Sequence, residues 1–125
     1  KGRVTKIPCP EAYVLAFERI SEAADNMLIV VEQGNSIVGM MQLTFIPSIS
    51  FRGGTRLLIE SVRVDGPFRG RGMGERMFVW AIEQARERGC FMVQLTTNNE
   101  RPDALRFYER LGFVASHVGL KLYLD

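Results

Sequence analysis

The stretch Val62-Arg63-Val64-Asp65-Gly66-Pro67-Phe68-Arg69-Gly70-Arg71-Gly72-Met73-Gly74 limits what this chain can fold into more than any other. Residues 56–65 ahead of it read as a strand whose alternate members Leu58, Glu60, Val62 and Val64 share one face. Behind it, Met73, Met77, Trp80, Ala81, Gln84, Ala85 and Arg88 recur on one side of a helix that ends at Gly89. Three alternating glycines and two arginines therefore sit at a strand-to-helix joint.

The other elements extend the same alternation. Pro10 and Glu11 open a helical pattern carrying Tyr13, Val14, Phe17, Ile20 and Ala24 on one face. Residues 27–32 and 37–45 form a hairpin around Gln33-Gly34-Asn35-Ser36. A strand over 91–97 follows the central helix. Pro102 then starts a helix that Gly112 stops, and Phe113 is placed to pack back on it. Leu120, Leu122 and Leu124 alternate with polar neighbours, which predicts one or two strands over 114–124. A hairpin followed by strand, helix, strand, helix, strand predicts an α/β sandwich with a mixed sheet.

With 125 residues, 46% hydrophobic and 24% charged, the chain matches one globular domain spanning residues 1–125. A formal net charge of +2 is too small for a general nucleic-acid binder, so no nucleic-acid partner is expected and any positive site is local. No apolar run reaches the roughly 18 residues a membrane span needs, so no membrane partner is expected either. A homodimer is left open. Cys9 and Cys90 read as free thiols of a reducing compartment, and the expected location is cytoplasmic. His117 is the only histidine, which argues against a multi-histidine metal site.

The joint's chemistry suits a phosphate. Glycines let the backbone approach a ligand closely, and the first N–H groups of a helix lack intrahelical acceptors. Arg69 and Arg71 add charged donors. A Walker loop requires a Gly-Lys-Ser/Thr ending that is absent, and a dinucleotide fingerprint fails because Glu75 occupies the third glycine position.

Arg69-Gly70-Arg71-Gly72-Met73-Gly74 resembles the R/Q-x-x-G-x-G/A loop of the GCN5-related N-acetyltransferase (GNAT) superfamily. Ala104-Leu105-Arg106-Phe107-Tyr108-Glu109-Arg110-Leu111-Gly112-Phe113 resembles that family's carboxy-terminal motif, A-x-x-x-Y-E-x-x-G-F. The two motifs occur in the family's order, and the resemblance covers residues 27–125. It implies a three-layer αβα sandwich, the acyl-CoA N-acyltransferase fold. The mostly antiparallel sheet of that fold is splayed between the strand before the 69–74 loop and the strand at 91–97. Family members usually carry a further strand and helix ahead of the first helix read here, and the expected fold lacks them.

The resemblance also implies that acetyl-CoA is the acyl donor; with a single histidine in the chain, no metal is expected. The donor's pyrophosphate is expected on the amides of Arg69, Gly70, Arg71, Gly72, Met73 and Gly74, and its pantetheine arm along the backbone of Val62 and Val64. The family often places an asparagine seven residues before the motif tyrosine. Arg101 stands there in this chain, and among nearby Asn98 and Asn99, Asn99 is the expected substitute.

Transfer to a small-molecule or peptide amine requires a neutral nucleophile, so an ammonium must lose a proton. Glu60, alone among apolar residues on its strand face, is the candidate base; the alternative is a solvent-facing or salt-bridged carboxylate. Tyr108 is the candidate acid for the departing thiolate, the alternative being a core aromatic. The Val62 amide is expected to hold the oxyanion of a tetrahedral intermediate formed by direct attack. A non-catalytic acyl-CoA-binding sensor is the rival reading.

Overall fold

The computed structural model describes residues 11–98 and 100–124. The lead-in with Cys9 and Pro10, together with Asn99 and Asp125, lies outside the described residues. In chain order the elements are α1 (Glu11–Glu22), β1 (Asn26–Gln33), β2 (Ser36–Pro47), the one-turn α2 (Ser50–Gly53), β3 (Thr55–Val64), a 3₁₀ turn (Gly66–Phe68), α3 (Met73–Glu87), β4 (Met92–Gln94) and α4 (Pro102–Arg110). The chain divides into two compact units, one up to Gln94 and one from Leu95.

The first unit holds a four-stranded sheet in the order β1-β2-β3-β4. β1/β2 and β2/β3 are antiparallel and β3/β4 is parallel, so the sheet is mixed as expected. Gln33 pairs with Ser36 across a two-residue turn whose Gly34 has φ 62°, the positive dihedral that tight hairpins require.

The core lies between α3 and the middle of the sheet. Met73, Met77, Ala81 and Ala85 recur every four residues, join Phe78, and are buried with Val38, Met41, Leu43, Phe45, Leu57 and Ile59. Fully burying an aliphatic or aromatic side chain of this size stabilises by about 1.5–3 kcal/mol, so this one interface fixes the helix on the sheet. Trp80, expected among the inward residues, is 40% exposed, and Phe78 takes the inward place.

The alternation expected along β3 breaks at Ser61. Gln42 pairs with Glu60 and Met40 with Arg63, so Ser61 and Val62 both stand opposite Met41. This is a β-bulge, and Ser61 accommodates it with φ 55°. One extra residue moves everything beyond it to the other face. Glu60 pairs with Gln42 on the side away from α3. Val64 pairs with Gly39, where an added Cβ would come within 3.3 Å of the Met77 sulfur. Val62 and Val64 thus face α3, whereas Leu58 and Glu60 face away; the four do not share a face.

Three further expectations differ from the structure. β4 is three residues long instead of seven, and its pairing with β3 ends at Leu58 and Gln94. Residues 113–124 form no strand: alternation of period two only specifies a strand where a ladder partner exists, and Leu120 is 91% exposed. α1 forms as expected but none of its residues is buried, and Tyr13 and Phe17 on its apolar side are exposed.

Candidate active site

β3 delivers the first candidates. Glu60 is exposed, and Val62 and Val64 are half-buried. The Asp65 N–H donates to the Val38 carbonyl at 2.8 Å, flanking the Gly39–Val64 pair. In an antiparallel ladder that makes Gly39–Val64 a non-hydrogen-bonded pair, so the N–H and C=O of Val64 point away from β2. Since the β3/β4 ladder stops at Leu58, this part of β3 has no ladder partner on its far side among the described residues.

The chain then turns. The Phe68 N–H donates to the Asp65 carbonyl and the Arg69 N–H to the Gly66 carbonyl, at 2.9 and 3.1 Å. Gly70 and Gly72 follow with φ 76° and 78°, a region that side chains with a Cβ enter only at a cost. Gly72 is the N-cap of α3, and no side chain caps the helix start. The first intrahelical bond here runs from the Arg76 N–H to the Gly72 carbonyl, 3.1 Å. The amides of Met73, Gly74 and Glu75 precede it and have no intrahelical acceptor. They sit at the positive end of the helix dipole, beside open space: a Cβ added at Gly70 or Gly72 would meet nothing within 4 Å.

The side chains of this loop divide their tasks. Met73 is buried to 5% exposure, so it offers the site only its backbone. Arg69 Nε donates to the Val64 carbonyl at 2.9 Å. The Arg71 guanidinium lies over the Phe68 ring, 5.5 Å from its centroid, an arrangement that favours a cation on the ring face. Uncapped amides at a helix start with a charged arginine beside them are chemically able to hold a phosphate. Glu75 is the one acidic side chain in that first helical turn, and it is exposed.

In the second unit, Tyr108 lies on α4, half-buried. Its ring meets Phe107 and Phe113 edge-on, with centroids 5.3 and 6.0 Å away. The Phe113 N–H donates to the Tyr108 carbonyl, and Gly112 has φ 105°, so the expected glycine stop and the backward-packing phenylalanine are both present. Burial pushes the Tyr108 phenol above its ordinary pKa, partly offset by the positive charge of Arg101. Asn98 is used locally: its side-chain oxygen accepts from the Glu100 N–H at 2.8 Å, and its carbonyl from the Arg101 N–H. Burial also raises the Cys90 thiol, partly offset by the charge of Arg88. His117 is exposed beside Ser116, 2.6 Å from its hydroxyl. No metal-binding cluster of His, Cys, Asp and Glu exists among the described residues.

Glu60 and the glycine loop belong to the first unit, Tyr108 to the second. The bulge at Ser61 and the Arg69 bond to Val64 were not foreseen from the sequence. The one hint of the bulge is a serine on the inward parity of β3, after Leu57 and Ile59.

Comparison with known proteins bears on the family and the fold. An aminoalkylphosphonate N-acetyltransferase of Salmonella typhimurium is 42% identical over 59 residues, covering 47% of this chain and 38% of its own length. A glucosamine 6-phosphate N-acetyltransferase of Oryza sativa is 43% identical over 65 residues, covering 52% of this chain and 38% of its own length. The matches thus span well under half of these relatives. A crystal structure described as a transcriptional regulator from Bacillus halodurans superposes with a TM-score of 0.89 at 52% identity, over 92% of this chain and 77% of that one. The fold is that of the acyl-CoA N-acyltransferases, as expected. The profile of the acetyltransferase (GNAT) family, whose acyl donor is acetyl-CoA, matches residues 4–113. With the profile matching most of its length, the chain belongs to the GNAT acetyltransferase family.

Proposed function

We propose that this protein transfers the acetyl group of acetyl-CoA to the primary amine of a small molecule in the cytoplasm. One observation carries the donor half of this reading: α3 starts at the left-handed Gly72 with no side-chain cap, directly after the open edge of β3. The residues present fit acetyl-CoA. The amides of Met73, Gly74 and Glu75, with Arg71, are suited to its pyrophosphate, and the outward N–H of Val64 to its peptide-like arm.

The bound donor supplies a thioester carbonyl. Glu60 takes a proton from the acceptor ammonium, directly or through water, so that a neutral amine attacks that carbonyl. Charge that develops on the carbonyl oxygen in a tetrahedral intermediate is held by a backbone N–H of the bulged segment, for which the Val62 amide is the candidate. Tyr108, a phenol that is protonated at neutral pH, gives its proton to the departing thiolate.

The proposed acceptor class is suggested by two relatives named as an aminoalkylphosphonate and a glucosamine 6-phosphate N-acetyltransferase. Both compounds so named are small amines bearing a phosphorus oxyanion. Incubation with acetyl-CoA and a panel of aminoalkylphosphonates, amino sugar phosphates, free amino acids and lysine peptides, read as thiol release, tests this. Release with a phosphorylated or phosphonylated small amine above the other classes is expected. Equal or absent release across the panel contradicts it. A second reading, a regulatory module that binds acyl-CoA without turnover, is favoured by the 52% identity to the Bacillus halodurans transcriptional regulator, and CoA binding without release from any amine supports it.

A further inference from the structure

We infer that Arg69 is a positioning residue that acts through the Val64 carbonyl, and that Arg71 is the arginine that meets the pyrophosphate. This rests on the acetyl-CoA reading above and divides roles within it.

The warrant is the hydrogen bonding at the end of β3. Because the Asp65 N–H bonds to Val38, the carbonyl of Val64 points to the open edge where the pantetheine arm is proposed to lie. Arg69 Nε already occupies that carbonyl at 2.9 Å. Two consequences follow. The carbonyl is already engaged by the protein, so the Val64 N–H is the group the edge offers most readily to a ligand. The same bond ties residue 69, at the head of the glycine turn, back to the strand, and so sets where the turn of Gly70 and Gly72 begins relative to the edge. Arg71 makes no such return; its guanidinium rests on the Phe68 ring, 5.5 Å from its centroid, and its N–H groups make no hydrogen bond among the described residues. A ring face holds a guanidinium without consuming its in-plane donors, which leaves them for a bidentate contact with a phosphate.

The two roles separate by ligand. A residue that contacts pyrophosphate affects only ligands that contain it, whereas one that sets the strand edge also affects the arm alone. Binding of CoA by calorimetry and of pantetheine by NMR titration is measured for the wild type, Arg69→Ala, Arg69→Gln and Arg71→Ala. Arg69→Ala is expected to weaken both ligands by about tenfold, the scale of one lost hydrogen bond. Arg69→Gln, which keeps an N–H donor but no charge, is expected to restore both to near wild type. Arg71→Ala is expected to weaken CoA by about tenfold or more and leave pantetheine unchanged.

Weakening of CoA alone by Arg69→Gln, with pantetheine unaffected, makes Arg69 a phosphate ligand and overturns the inference. Should Arg69→Ala fail to fold, the glutamine variant decides the matter by itself. Absence of CoA binding by the wild type contradicts instead the acetyl-CoA reading on which the inference stands.

Discussion

Tyr108→Phe is expected to lower kcat by about 10²-fold or more, with KM for acetyl-CoA little changed, because a proton donor acts on the transition state rather than on the bound donor. The substitution keeps the ring that packs edge-on against Phe107 and Phe113, so the variant retains its fold. The pH dependence follows from the direction of the shift. Burial raises the phenol above its ordinary value of about 10, so it is protonated throughout the neutral range and is lost as an acid only as pH rises through the raised value. The same shift stabilises the fold below about pH 10 relative to higher pH, where the unfolded chain releases the proton first. In Tyr108→Phe both the alkaline fall in rate and that loss of stability should disappear. Wild-type kcat in this variant would move the acid to another residue.

Glu60→Gln is expected to lower turnover at neutral pH by about 10²-fold, for a different reason. Without a carboxylate the enzyme depends on the small fraction of acceptor amine already neutral. The variant's rate should therefore climb with pH toward the amine's own pKa, near 10 for a lysine-like amine, and approach the wild-type rate there. Glu60 is exposed on the face of β3 away from α3, so its replacement leaves the core untouched. A uniform loss at every pH assigns Glu60 to acceptor binding, and no loss removes it from the mechanism.

The sequence made local structure legible where one chain segment carries the whole signal. The hairpin at Gly34, the helix start after Gly72 and the stop at Gly112 all depend on glycine dihedrals, and each lies where the pattern indicated. The apolar period of α3 located its buried face because Met73, Met77, Ala81 and Ala85 repeat every helical turn. What the pattern missed depends on pairing between segments. The bulge at Ser61 appears only in the register between β2 and β3, and it reverses the faces of Val62 and Val64. Likewise, the leucines of 114–124 alternate as a strand does, yet alternation cannot supply the ladder partner that defines one. The glycine turn and the uncapped helix start were readable because both are properties of consecutive residues. The bond from Arg69 to Val64 was not, because nothing in a one-dimensional pattern shows that an arginine folds back onto the preceding strand.

Thermal melting with and without ligand tests the donor site most directly. A ligand that binds the folded state at one hundred times its Kd stabilises it by about 2.7 kcal/mol, enough to raise Tm by several degrees in a domain of this size. Acetyl-CoA is expected to raise Tm clearly, and NAD and ATP, which carry phosphates but no pantetheine arm, to raise it less. Equal shifts with all three, or none with acetyl-CoA, would contradict the assignment of the Gly70 and Gly72 turn to coenzyme A.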